Sequence, residues 1–147
     1  MTQVPPDDVV VTRAPRVVPA VTVTVSGLTV ALSSSDGLSS LLVGSTGPGQ
    51  ALSLVLPSGP GAVAGLSVFT RLGHLHARHW ALVWAAGPAP ASGVDFSSGD
   101  LRFRREAHVR AVAVGPAWLA VAVGAFREAT VCLDDSEPLW LALDESS

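Results

Sequence analysis

The sequence predicts an all-β chain, a single antiparallel β-sandwich or barrel of jelly-roll type, preceded by an extended proline-rich arm. Three observations lead there. Apolar and polar residues alternate with period two wherever a pattern exists, which is the spacing of a half-buried strand and not of a helix. Turn-forming clusters of Gly, Pro, Ser and Asp recur about every ten residues, the rhythm of short antiparallel strands. Third, Val17 to Thr70 carries one ionisable side chain, Asp36, in fifty-four residues, and Ser, Thr, Gly and Pro interrupt the stretch too often for a membrane segment. A surface built from that half must consist of small neutral residues.

The elements follow in order. Residues 1–20 form the expected arm, because Pro5, Pro6, Pro15 and Pro19 donate no ladder hydrogen bond. Within it, Val9 to Thr12 can add one edge strand. Residues 21–147 form the expected all-β domain, and at 147 residues one domain burying roughly 70% of its unfolded surface is the default. In VTVTVSGLTVAL, residues 21 to 32, two strands meet around Ser26-Gly27, or one strand carries a glycine bulge. A turn cluster at 33–37 precedes a short strand, Leu41 to Val43, and a short helix fits only near Asp36 to Leu42. Strands at Ala51 to Leu56 and Ala62 to Arg71 flank Pro57-Ser-Gly-Pro-Gly61. HLHARHWALVW follows Gly73, then an expected loop from Gly87 to Ser98. Leu101 to Val114 reads as one long strand, turned by Gly115-Pro116 into Ala117 to Val123. Glu128 to Leu133 and Leu139 to Leu143 close the set.

Composition excludes several classes. Net charge is −3 and charged residues are 14% of the chain, so a general nucleic-acid binder, which depends on excess Lys and Arg, is not expected. Cys132 is the single cysteine, which rules out an intrachain disulfide and a cysteine-rich zinc site. Its surroundings suit a small buried hydrophobe. Lys, Asn, Ile and Tyr are absent, all encoded by A/T-rich codons, which points to a strongly G+C-rich genome. MTQVPPDDVV lacks the basic and apolar regions of a secretory signal. The most apolar run, Ala111 to Phe126, is short and broken by Gly115-Pro116. A soluble, cytoplasmic or virion-associated protein is the expectation.

Two clusters could carry chemistry. On a strand, His74 and His76 share one face about 7 Å apart, close enough for two imidazoles to chelate one ion, and His108 from a neighbouring strand could supply a third nitrogen. The simpler reading makes them surface or half-buried strand residues. Residues 74 to 87, HLHARHWALVWAAG, also resemble the first cupin motif, in which His-x-His is followed by a metal-binding Glu and then Gly. His74, His76 and Gly87 stand at the family spacings, while Trp80 occupies the place of the Glu. Gly99-Asp100 resembles the start of the second motif. That motif's proline, glycine and last metal histidine fall at Arg105, Ala107 and Arg110, with His108 two residues early. The resemblance spans about forty residues and keeps two of four metal ligands. It implies a double-stranded β-helix barrel and, as the alternative function, a degenerate cupin-like barrel holding one divalent transition metal or a small ligand through His74, His76 and His108.

The second cluster lies on the expected strand Leu101 to Ala113. Arg102, Arg104, Glu106, His108 and Arg110 alternate onto one face, either as an anion-facing or partner-facing ribbon or as an ordinary solvated face. Arg102, Arg104 and Arg110, with Trp80 and Trp84, are the candidates for partner contact, since Arg and Trp are enriched at interfaces. Core filling is the competing role for at least two of the four tryptophans. No Gly-x-Ser-x-Gly, phosphate-loop or His-Glu-x-x-His signature occurs. Gly47-Pro-Gly49 and Gly59-Pro-Gly61 are proline-locked turns without the Lys of a phosphate cradle. The leading expectation is therefore a non-enzymatic structural β-domain without a cofactor. It would pack into a homo-oligomer or against another structural protein, and a capsid-decorating or tail component of a phage or viral virion would suit its neutral surface.

Overall fold

In the computed structural model, residues 9–13, 21–25, 27–35, 38–44, 50–59, 61–72, 76–99, 102, 104–133 and 137–146 are described. They form fourteen strands: β1 (Val9–Arg13), β2 (Val21–Val25), β3 (Leu28–Ser35), β4 (Leu38–Gly44), β5 (Gln50–Val55), β6 (Ala64–Thr70), β7 (Arg78–Ala86), β8 (Val94–Ser97), β9 (Glu106–Val109), β10 (Val112–Val114), β11 (Ala117–Val123), β12 (Glu128–Val131), β13 (Leu139–Ala142) and β14 (Asp144–Ser146). The protein is all-β, and among the described residues no helix is long and apolar enough to cross a membrane.

The strands form three sheets, ordered β1-β5-β4-β3-β2, β10-β11-β7-β6-β14 and β13-β12-β8-β9. Every pairing is antiparallel except β14 on β6. The second sheet lies in the middle, with an outer layer on each face. Its residues Leu66, Trp80, Leu82, Trp84, Leu119 and Val121 share one core with Leu28, Val30, Leu41, Leu52 and Leu54 of the first sheet. The alternate residues Ala81, Val83, Ala85, Trp118 and Ala120 share a second core with Phe96, Val94, Ala129, Val131 and Leu141 of the third. A strand buried on both faces has no polar side, which is why 80–85 and 117–122 are unbroken apolar runs. In β7 one face carries the bulky residues Trp80, Leu82 and Trp84 and the other Ala81, Val83 and Ala85, so two cores of different depth meet at one strand.

Hairpins form where the sequence places them. Gly27 (φ 78°) links β2 to β3, with Val25 opposite Leu28, and Gly115 (φ 62°) links β10 to β11, with Val114 opposite Ala117. Three expectations are corrected. Residues 38–44 are strand, not part of a helix; residues 36–37 lie outside the described set. The loop expected at 87–98 contains β8, because Val94 and Phe96 alternate into the second core. The long strand expected at 101–114 is broken: β9 belongs to the third sheet and β10 to the middle one. Even-numbered positions are polar through Arg110 and apolar from Val112, so a single straight strand would put Val112 and Val114 on the solvent face beside His108. Crossing to the other sheet at Arg110-Ala111 buries Val114 and half-buries Val112 instead. The expected all-β antiparallel sandwich is present, with a third sheet as a further layer. The arm is described only at β1, which pairs with β5 at the edge of the first sheet.

Candidate functional site

The first sheet contains most of the uncharged half. Strands β2 to β5 carry no ionisable side chain. Pairing places Thr24, Thr29, Ala31, Ser33, Leu38, Ser40, Leu42, Ser53 and Val55 on its outward face, opposite the core residues. The centre of that face is already covered within the chain, with Ala31, Ser33, Leu42 and Ala51 no more than 8% exposed. Exposure is at its ends: Thr24 is open, and Leu38 is 65% exposed.

The opposite outer layer has a different character. Cross-strand pairing aligns Trp140 (β13), Thr130 (β12), Asp95 (β8) and His108 (β9) in one row across its outward face. His108 Nδ1 donates to Asp95 Oδ1 at 2.6 Å, which leaves Nε2 as the second ring nitrogen. The adjacent row holds Ala142, Glu128, Ser97 and Glu106, and Arg104 Nε meets Glu106 Oε1 at 2.9 Å. Asp95, Ser97, Arg104, Glu106, His108 and Thr130 line a shallow cleft of about 420 Å³. Both ion pairs are solvent-exposed, so each contributes little to stability. Their consequence is electrostatic: each carboxylate has a cationic or hydrogen-bonding partner beside it. A second hollow, about 230 Å³, is lined by Ala, Pro and Gly residues together with Val63, Trp118 and Leu133, and no charged side chain lines it.

The expected site residues divide among these surfaces. His74 lies outside the described residues, so the three-histidine arrangement is incomplete in the description. His76 is exposed just before β7 of the middle sheet, whereas His108 lies on β9 of an outer sheet and is bonded to Asp95. Among the described residues, no group of three His, Cys, Asp or Glu side chains converges as a metal site. His79 faces away from Trp80 and packs against Phe69 with the rings tilted, centroids 4.8 Å apart.

Of the polar stripe, only Glu106 and His108 share a strand; Arg102, Arg104 and Arg110 are exposed on the flanking segments. Trp80 and Trp84, expected at a contact surface, are core residues at 0% and 1% exposure. Their indoles donate to the Thr70 and Val55 carbonyls at 3.1 and 3.0 Å, so neither buries an unsatisfied N–H. Arg78 lies 5.6 Å from the Trp80 ring centre, a cation–π contact at the rim. The row from Trp140 to His108 was not visible to sequence reasoning, because it needs the register of four strands from distant segments.

The fold and these surfaces define a three-layered all-β protein with one outer layer that is uncharged from β2 to β5 and one polar outer layer. The chain matches no protein-family model, and no match was found among curated proteins or solved structures.

Proposed function

We propose that the protein is a non-enzymatic structural domain that works by packing into a homo-oligomer or a larger assembly through the layer β1–β5. One observation carries this reading: four adjacent strands of an outer layer contain no ionisable side chain, and Leu38 stands 65% exposed on their outward face. Ser, Thr, Ala and Val lose little on leaving water compared with charged groups, whose desolvation costs far more. Depletion of charge is also the compositional mark of interface centres. Since the middle of the face is buried within the chain, the contact falls on its ends, around Leu38 and Thr24. A phage or viral particle, with the domain as capsid decoration or tail component, is a setting that such a neutral layer suits.

Light scattering and native mass measurement test the reading. The expected result is a defined homo-oligomer at micromolar concentration, shifted toward monomer by Leu38→Glu with an unchanged melting temperature. A strict monomer at high concentration, with no stable protein partner, overturns it.

A further inference from the structure

The polar outer layer supports an inference independent of the assembly reading. We propose that the outward face of β13-β12-β8-β9 is a binding platform for a neutral oligosaccharide, with Trp140 as its stacking surface and Asp95, His108 and Thr130 as its hydrogen-bonding row.

Exposure sets Trp140 apart. Trp80, Trp84 and Trp118 are at most 1% exposed, whereas Trp140 is 59% exposed on the strand next to Thr130. A large flat apolar ring left in water beside a polar row is suited to the C–H face of a pyranose, with hydroxyl groups reaching the neighbouring side chains. The row crosses three inter-strand gaps of about 4.8 Å, so Trp140 and His108 lie roughly 14 Å apart. That is the reach of a short sugar chain and not of a single ring.

Charge arrangement selects the ligand class. Asp95 is held by His108 and Glu106 by Arg104, so the cleft presents donors and acceptors with little net charge to balance. Arg104, the one arginine in the cleft lining, is already paired with Glu106, so an anion would have to compete with that carboxylate, and a cation would have to displace His108 or Arg104. A second protein copy would have to strip water from Asp95, Glu106, Arg104 and His108, against the depletion of charge seen at interface centres. A neutral polyhydroxyl ligand also displaces water from those groups, but its hydroxyl groups give hydrogen bonds back in place of that water.

The test uses the intact protein and a panel of neutral gluco-, galacto- and manno-configured oligosaccharides, read by calorimetry and by iodide quenching of tryptophan fluorescence. With three tryptophans buried, quenching reports on Trp140, and a bound sugar protects it. At least one panel member is expected to bind. Trp140→Ala is expected to weaken that binding about tenfold, and Asp95→Asn to weaken it as well, with far-UV circular dichroism unchanged in both. Absence of binding by every panel member overturns the proposal, as does binding that survives Trp140→Ala. Loss of self-association in Trp140→Ala, without any sugar effect, would give this face to a second copy and also overturns it.

Discussion

Gly93 stands where the chain permits no side chain. Its φ of 77° is left-handed, and an added Cβ would lie 2.5 Å from the Val109 carbonyl oxygen and 3.1 Å from His108 Nε2. The first obstacle is backbone in a paired strand and cannot swing away. Gly93→Ala should therefore cost about 2 kcal/mol or more, measurable by urea unfolding, and should loosen the β8–β9 pairing that holds His108 on Asp95. At this scale the sequence was only partly legible. Alternation correctly placed Trp80 and Trp84 on a common face. It could not say that this face was interior, since a strand covered on both sides has no solvent face to serve as reference. His108 was picked out as a possible ligand, but its partner Asp95 was hidden in a stretch rich in Pro, Ala, Gly and Ser that reads as loop.

Among the elements, the turn-delimited strands β2, β3 and β11 were readable because glycine marks each hairpin within a few residues, as was the turn at Gly115 that leads into β11. β8 was missed because four residues, Val94–Ser97, are too few for periodicity to outweigh the Gly and Pro around them. The break between β9 and β10 was present in the sequence as a swap of polar and apolar parity at 110–112, a signal that length alone obscured. β6 and β13 show how closely the layers approach. An added Cβ on Gly65 would come within 2.6 Å of both Leu141 Cδ1 and Leu143 Cδ2. Gly65→Val should overpack this contact and cost on the order of 1–3 kcal/mol, seen as a lower melting temperature. If stability is unchanged, the middle and polar layers are not in the close contact described.

For the whole molecule, the scarcity of charge between Val17 and Thr70 was the most informative sequence feature, since most of that segment becomes one outer layer. The three-layer stack was not legible, because it depends on which sheets meet face to face, and the middle sheet draws its strands from β6, β7, β10, β11 and β14. After β5 the chain passes from the middle sheet to the polar one and back repeatedly, whereas β1–β5 form their sheet without interruption.

That contiguity has a consequence during synthesis. All strands of the neutral layer are synthesised before the first strand of the sheet it packs on, and β11 follows more than sixty residues after β5. Its ladder can close early, but Leu28, Val30, Leu41, Leu52 and Leu54 must then wait uncovered for β6, β7 and β11, and a nascent sheet with one bare oily side is prone to cluster with its own kind. A chain stopped at Ser58 should accordingly bind a hydrophobic dye and sediment as aggregate, while the full-length chain stays in the supernatant; a clear, dye-negative solution of the shortened chain would show that this layer completes itself alone.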